Sequence, residues 1–287
     1  MSQSAYHLVR PASRSTSVVF ASPHSGRDYS AAFLARSVLD AREIRSSEDA
    51  FVDVLFAAAP DHGAPFLTAT APRAYLDLNR GPDELDPALI EGVRRNPHNP
   101  RVTSGLGVIP RVVANGRQIY RGKLTLAEAH QRIAGWWRPY HDQLQTLLDE
   151  SNNAFGEAIL MDCHSMPHEA LEHAGSPGAL RPDVVLGDRF GAAAAGAVVE
   201  QVEAAFANAG LRVARNMPFA GAYITQHYGR PSRGQHAIQI EIDRAVYMDE
   251  RTLEPNDDFA GFKAVLDGVI AALADIGRVR DQRVAAE

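Results

Sequence analysis

Two histidines occupy equivalent places in the sequence, each directly after a run of apolar residues. His24 follows "VVFASP", and His164 follows "AILMDC". In open α/β sheets, ligands bind beyond the carboxyl ends of the strands, so both imidazoles are expected to reach one crevice. A single histidine of this kind is more often an ordinary hydrogen-bonded residue. A pair at matching strand ends favours a metal site or an acid/base site.

Two carboxylates, Glu48 and Asp49, lie in "SSED" at the expected start of a helix. Two histidines and one carboxylate form a known catalytic zinc set, in which water takes the fourth position. The residues themselves leave the choice between Glu48 and Asp49 open. Cys163, which directly precedes His164, is predicted to be a small buried residue rather than a ligand or a nucleophile.

Arginines and an amide side chain are concentrated in "PRAYLDLNR", residues 72–80. Asn79 and Arg80 follow what is predicted to be a short strand, and Arg73 precedes it. A guanidinium presents a planar fork that matches a carboxylate, and an adjacent amide can add a hydrogen bond. A surface ion pair is the ordinary alternative. The cluster beside a strand end favours an anion pocket.

Glu241 interrupts the apolar run "HAIQIEIDR" at 236–244. Strand alternation places it opposite the isoleucines of that run. Such a face can be solvated, but a carboxylate in a covered sheet is expected to be paired or functional. Partial burial would raise its pKa toward the range of a general base. The preceding Gly- and aromatic-rich segment, 218–231, resembles a substrate loop, with His227 and Arg230 as candidate substrate contacts.

The elements that must position these residues alternate between strands and helices. Short apolar runs predict strands at 16–22, 64–70, 157–163, 182–188, 211–216 and 236–244. Helical periodicity predicts helices at 47–63, 124–152, 191–210 and 257–277. The second helix should begin with a capping box from Thr125 to Glu128 and be kinked by Pro139. This alternation predicts the α/β class, with a mixed, mostly parallel sheet flanked by helices.

Length and composition limit the classes of function. The 287 residues are 45% hydrophobic and contain no evident repeat or linker, so we expect one domain over 1–287 with a loop-rich insertion around 81–124. The net charge of −6 gives no support for a nucleic-acid or membrane partner, and the single cysteine excludes an internal disulfide framework. Without an apolar signal core or a long apolar run, a cytoplasmic location is expected.

Seven segments together resemble one family, the N-formylglutamate amidohydrolases. They are "SPHSGRDY", "SEDAFVDVLF", "PRAYLDLNR", "MDCHS", "RPDVVLGDRFG", "GAYITQHYGRP" and "HAIQIEIDRAVYMD". They occur in family order and span roughly residues 18–250. The resemblance implies an α/β fold of the phosphorylase/hydrolase type, shared with zinc carboxypeptidases and aspartoacylases. It also suggests histidine degradation as the pathway.

The resemblance further implies a role for each candidate residue. The implied zinc ligands are His24, His164 and an acid from "SSED", for which we prefer Asp49 over Glu48. The implied catalytic and substrate-binding roles are oxyanion stabilisation by Arg73, water activation by Glu241, and carboxylate binding by Asn79 and Arg80. One departure concerns the acidic ligand. The related zinc hydrolases use a His-x-x-Glu pattern, whereas the third residue after His24 is Arg27.

The expected activity is zinc-dependent hydrolysis of N-formyl-L-glutamate to formate and L-glutamate by a monomer or small homo-oligomer. An alternative keeps the zinc site but changes the substrate to another N-acyl amino acid or a short peptide. A protein that binds a metal or ligand without catalysis is a third possibility, which the presence of Glu241 disfavours. A serine hydrolase is disfavoured because neither Ser25 nor Ser165, each after a histidine, lies in a Gly-x-Ser-x-Gly elbow.

Overall fold

Seven strands form one mixed sheet in the computed structural model, which describes residues 4–94, 99–113, 116–172 and 181–278. The strands are β1 (Tyr6–Val9), β2 (Val18–Ser22), β3 (Phe66–Ala69), β4 (Ala158–Met166), β5 (Val184–Gly187), β6 (Val213–Arg215) and β7 (Gln235–Asp243). Their order is β1-β3-β2-β4-β7-β5-β6. The β1–β3 and β5–β7 pairs are antiparallel and the other neighbours are parallel. The predicted mixed, mostly parallel sheet is confirmed.

Helices flank this sheet on both faces, and a two-stranded ribbon lies outside it. The α-helices of the described residues are α1 (Ala31–Arg36), α2 (Val52–Leu55), α3 (Pro100–Thr103), α4 (Leu126–Arg132), α5 (Arg138–Phe155), α6 (Gly196–Asn208), α7 (Tyr223–Tyr228) and α8 (Phe259–Ile276). The ribbon consists of β8 (Met248–Asp249) and β9 (Glu254–Pro255). Within the described ranges, no helix is long and apolar enough to span a membrane.

The central strands are covered on both faces, which explains why their sequences are almost continuously apolar. All nine residues of β4 are buried. Cys163 packs into the cluster formed with α2, α6 and α8, whereas Leu160 packs toward α5 on the other face. Cys163 is therefore the small buried residue that was predicted. By strand alternation, Asp162 and His164 point to the α5 face.

Three predicted elements differ from the structure, and two of them lie at 47–63 and 72–80. The helix expected at 47–63 is only α2 and a 3₁₀ turn, Ala59–His62, because Phe51 takes a left-handed backbone conformation and Pro60 interrupts the hydrogen bonding. The strand expected before Asn79 is absent. Residues 72–80 form turns instead, in which the amides of Tyr75 and Leu76 donate to Pro72 O.

The helix expected at 124–152 is divided into three parts. A π-helical turn, Ile133–Trp137, separates α4 from α5. Pro139, which cannot donate an amide hydrogen bond, lies in the first turn of α5, where no such bond is needed. Thr125 accepts a hydrogen bond from the Glu128 amide, as one half of the predicted capping box requires. The Glu128 carboxylate instead pairs with Arg36 and Arg132.

Four neighbouring strands, β3, β2, β4 and β7, run parallel to one another, so their carboxyl ends share one edge of the sheet. The chain leaves β2 at "PHSG" and passes directly against the segment that follows β3. A Cβ atom at Gly26 would lie 2.1 Å from Ala71 O. The absence of a side chain at Gly26 therefore allows the two loops to meet at this edge.

Candidate active site

The two histidines and Asp49 meet at the shared edge of the sheet. His164 Nδ1 lies 3.1 Å from His24 Nδ1 and 3.0 Å from Asp49 Oδ2. His24 Nδ1 is 3.4 Å from the same Asp49 oxygen. All three side chains are buried, and their ligand atoms lie within 4.8 Å of one another. Two imidazole nitrogens and one carboxylate oxygen suit a divalent metal, so this group could hold one.

Each imidazole turns its second nitrogen to another carboxylate. His24 Nε2 lies 2.7 Å from Asp77 Oδ1. His164 Nε2 lies 3.0 Å from Asp162 Oδ1, in an ion-pair contact rather than a directed hydrogen bond. Asp77 favours the tautomer of His24 that carries hydrogen on Nε2. His164 Nε2 also lies 3.3 Å from Asn79 Nδ2, which can donate a hydrogen bond to it. Both Nδ1 atoms face the Asp49 carboxylate, and a metal that replaced their protons would meet both nitrogen electron pairs.

The carboxylates make this site favourable for positive charge. Burial alone would raise the pKa of Asp49, but the hydrogen bonds and charges of His164 and His24 outweigh it and hold that pKa well below its ordinary value. For His164, burial lowers the pKa, but the charge and close contact of Asp162 and the hydrogen bond to Asp49 raise it well above the ordinary value. A cation that replaces the imidazole protons is therefore electrostatically matched to these residues.

In the structure, Glu48 and Asp49, the two candidate acidic ligands in "SSED", contact different partners. Asp49 faces the histidines, whereas Glu48 accepts two hydrogen bonds from Arg45, each 3.0 Å long, and one from Tyr29 OH at 3.0 Å. The Asp49 amide also donates to His24 O at 3.0 Å, which ties the two loops together. Asp49 is accordingly the acid that lies with both imidazoles.

Glu241 lies beside His164 because β4 and β7 are parallel and in register at these residues. Its Oε1 accepts a hydrogen bond of 2.8 Å from Gln239 Nε2. Gln239 Oε1 in turn accepts one of 3.2 Å from Asn79 Nδ2, and Asn79 Oδ1 accepts one of 2.8 Å from the Ile224 amide. Burial is the largest cause that raises the pKa of Glu241 to about 7. The predicted opposite faces of Glu241 and the β7 isoleucines are confirmed.

A cavity of about 700 Å³ opens over these residues. Arg73 and Arg80 line it together with His24, His164 and Glu241. Arg73 Nε donates to Asp77 Oδ2 at 3.1 Å, so Asp77 bridges Arg73 and His24. Arg80 is anchored through Nε to Leu106 O and through Nη1 to Asn79 O. Part of the wall comes from the 81–124 segment, including Arg101, Leu106, Pro110, Val112 and Val113.

His227 and Arg230, the other predicted substrate contacts, do not line this cavity. They line a neighbouring one of about 570 Å³, which shares Arg101 with the first. His227 stacks on Tyr223 with ring centroids 5.0 Å apart, and Arg230 Nη1 donates to the backbone oxygens of Gln226 and Gly229. A substrate contact for this pair remains a prediction.

The serines that follow the histidines have no catalytic base beside them in the described residues. Ser25 Oγ bonds Ser22 Oγ at 2.8 Å, and Ser165 Oγ accepts from Arg244 Nε at 3.2 Å. An imidazole within hydrogen-bond reach is the usual requirement for an activated serine. The arrangement therefore favours a metal centre over a serine nucleophile.

Sequence reasoning did not single out several residues that shape the site. They are Asp77, Asp162, Gln239 and Arg244. The signal for Asp162 and Gln239 is strand parity, since each precedes a selected residue by two positions. Asp77 and Arg244 carry no comparable signal, because turns rather than strands determine where they point.

Comparisons with known proteins agree on one family. A family model described as N-formylglutamate amidohydrolase matches residues 16–248. The N-formylglutamate deformylase of Pseudomonas aeruginosa is 33% identical over 263 residues, covering 90% of this chain and 92% of that protein. That of Pseudomonas putida is 33% identical over 268 residues, covering 91% and 93%. The crystal structure of N-formylglutamate amidohydrolase from Ralstonia eutropha JMP134 matches with a TM-score of 0.89 and 36% identity, covering 96% of this chain and 99% of that one.

Proposed function

Because the chain belongs to the N-formylglutamate amidohydrolase family, we propose that it cleaves N-formyl-L-glutamate to formate and L-glutamate with the help of one zinc ion. The observation that carries this proposal is the convergence of two imidazole Nδ1 atoms and Asp49 Oδ2 beside Glu241, in the floor of a cavity lined by arginines. Such a group resembles the three-ligand sites of catalytic zinc, which leave a position open for water.

The proposed ligands are His24 Nδ1, His164 Nδ1 and Asp49 Oδ2. Zinc bound there would lower the pKa of a water molecule and polarise the formyl carbonyl. Asp77 holds the His24 imidazole in the tautomer that frees Nδ1, and Asp162 faces His164 Nε2 at 3.0 Å. Nitrogen and oxygen ligands in this mixture also suit other divalent metals. The choice of zinc is therefore itself part of the proposal.

Glu241 is the proposed general base and general acid. A pKa of about 7 lets the carboxylate accept a proton at neutral pH and return it afterwards. The oxygen of water bonds to the formyl carbon while the carbonyl π bond opens to an oxyanion, and one proton of the water passes to Glu241. The carbon–nitrogen bond then breaks as Glu241 gives that proton to the leaving amine. The second proton of the water passes from the formic acid to the amine, so the products are formate and glutamate, and Glu241 ends as the carboxylate it began as.

Arg73 and the "DLNR" residues are proposed to orient the substrate. Asp77 fixes the Arg73 guanidinium at the cavity wall, where it can stabilise the developing oxyanion. Arg80 is held by backbone oxygens on Nε and Nη1, and among the described residues Nη2 remains as its donor for a substrate carboxylate. Asn79 Nδ2 donates to Gln239 Oε1 and lies 3.3 Å from His164 Nε2, and so links the carboxylate site to Glu241 and to the metal centre.

The size of the cavity favours a second candidate, hydrolysis of another N-acyl amino acid or a short peptide at the same metal centre. A volume of about 700 Å³ lies in the range of pockets that hold drug-sized ligands, which exceed N-formylglutamate in size. Rates on a panel of N-formyl, N-acetyl and N-succinyl amino acids separate the two.

The proposal also includes a cytoplasmic location, a role in histidine degradation, and a small-molecule substrate rather than a nucleic acid or membrane.

The test combines metal analysis with activity. Purified protein should contain about one zinc per chain and hydrolyse N-formyl-L-glutamate, and chelation should abolish the activity until zinc is restored. Bound metal without this activity would move the assignment to another acyl substrate. Protein that binds no metal, and whose activity ignores added zinc, would contradict the proposed site.

A further inference from the structure

The Asp49 carboxylate is held from two sides. Its Oδ2 faces the two Nδ1 atoms, whereas its Oδ1 accepts a hydrogen bond of 3.0 Å from Arg244 Nη2. We propose that Arg244 is a positioning residue of the metal centre, which fixes the rotation of the Asp49 carboxylate so that Oδ2 is presented to the ion. This inference rests on the proposed metal site and adds a residue to which neither the family resemblance nor the relatives assign a role.

The contacts of Arg244 favour positioning over substrate binding, although Arg244 also lines the main cavity. Its side chain is buried, and each of its nitrogens has a partner within the protein. Nε donates to Ser165 Oγ at 3.2 Å, and Nη1 lies 3.3 Å from Ser46 O and 3.8 Å from Glu250 Oε2. A substrate carboxylate would have to share these nitrogens with the partners that they already bind. Displacing Asp49 would disturb the metal ligand itself.

The position of Asp49 in a loop explains why its carboxylate needs a second contact to fix its orientation. The residue lies in a loop between a 3₁₀ turn, Glu43–Ser47, and α2, so no regular element fixes its side chain. In a His-x-x-Glu pattern, the acid and the first histidine share one short segment. Here the acid is 25 positions from His24, and the planar fork of Arg244 at the end of β7 supplies the missing constraint. A lysine would offer a single charged point rather than a fork that makes three hydrogen bonds, to Ser165, Ser46 and Asp49.

The experiment measures the zinc affinity of metal-free protein by competition with a chromogenic chelator, for the wild type, Arg244→Met and Arg244→Lys. Arg132→Met is the matched control, because Arg132 is equally buried, at 3% exposure, and bonds Tyr75, Tyr120 and Glu128 away from the metal ligands. We expect Arg244→Met to weaken zinc binding about 10- to 100-fold, the usual effect of removing a residue that orients a ligand. Arg244→Lys should recover part of the loss, and the control should bind as the wild type does.

The visible spectrum of the cobalt(II)-substituted protein supplies a second readout, because it reports ligand geometry directly. It should change in Arg244→Met and stay constant in the control. A folded Arg244→Met protein with wild-type zinc affinity and an unchanged cobalt spectrum would overturn the inference while leaving the proposed function intact. Tighter zinc binding would also overturn it, since Arg244 would then be a competitor for Asp49. If Arg244→Met does not fold, wild-type affinity in Arg244→Lys overturns it. A wild type that binds no zinc would contradict the inference and the proposed metal site together.

Discussion

Glu241 is a buried carboxylate, and its proposed role as general base requires the ionised form at neutral pH. Its one directed partner among the described side chains is the Gln239 amide, which supports the ionised form only weakly compared with an arginine. Glu241→Gln keeps the size of the side chain and removes the base. We expect kcat for N-formyl-L-glutamate to fall about 10²- to 10⁴-fold while the zinc content stays near one per chain.

The control for Glu241→Gln is Glu48→Gln, which neutralises another buried carboxylate directly beside a proposed ligand. Glu48 is bound by Arg45 and Tyr29 rather than by the histidines, so zinc content and kcat should stay within a few-fold of the wild type. Loss of zinc in Glu48→Gln, with zinc retained after Asp49→Asn, would exchange the roles of the two acids. Full activity in Glu241→Gln would remove Glu241 from the mechanism.

Glu241→Gln also tests how much the buried Glu241 carboxylate lowers the free energy of unfolding of the metal-free protein. Burial raises the folded-state pKa of Glu241 from 4.5 to about 7, so the folded state keeps the proton longer than the unfolded state. The stability that this proton provides is complete below pH 4.5 and is lost as the pH rises through about 7. Glu241→Gln should therefore be more stable than the wild type at pH 8, by on the order of 1–3 kcal/mol. Urea unfolding that shows equal stability at pH 8 would contradict this.

At the scale of elements, the site depends on the close approach of the β2 and β3 exits. Gly26→Ala would force a Cβ atom against Ala71 O and push the His24 loop away from the segment that carries Arg73 and Asp77. We expect a loss of about 1–3 kcal/mol in the free energy of unfolding, as for other overpacked positions, together with weaker zinc binding. Gly268→Ala in α8 is the control, since nothing lies within 4 Å of its added Cβ. It should stabilise the protein by up to about 1 kcal/mol. Equal stability of the two variants would show that the loops can separate without cost.

The elements also show where sequence reasoning succeeds. His24, His164 and Glu241 could be placed together because β2, β4 and β7 are continuous apolar strands whose ends must share an edge. The strand expected before Asn79 is wrong because that segment forms its hydrogen bonds with its own turns and with Val108 of the 81–124 segment. The spacing of apolar residues carries no information about such local hydrogen bonds. The contact of Asp49 with Arg244 joins residues 195 positions apart, so no local pattern could have predicted it.

At the scale of the whole molecule, His141 joins parts of the chain that are distant in sequence. On α5, its Nε2 donates to Leu78 O at 2.9 Å and its Nδ1 accepts from Tyr228 OH of α7 at 2.9 Å. Its ring also lies 4.0 Å from that of Trp137. Burial is the main cause that lowers the pKa of His141 to about 3. The folded protein therefore requires the neutral imidazole at this junction.

This requirement predicts acid sensitivity. The unfolded state binds a proton at His141 below pH 6.5 and the folded state does so only near 3, so stability is complete above 6.5 and is lost as the pH falls. Between pH 6.5 and pH 5, the free energy of unfolding of the wild type should fall by about 2 kcal/mol more than that of His141→Gln. A substitution of His130, which is exposed, should show the same fall as the wild type. Urea unfolding at both pH values measures the difference, and parallel losses in all three proteins would contradict it.

The same titrations test whether the chain is a single domain, which remains a proposal. The two main hydrophobic clusters lie on opposite faces of one sheet and draw on the same strands, so neither face can lose its packing alone. Tryptophan fluorescence, which reports the α5 face through Trp137, should therefore change together with far-UV circular dichroism in one transition. Two separated transitions would mean that the layers unfold independently. In that case the loss attributed to His141 should appear only in the transition of the α5 layer.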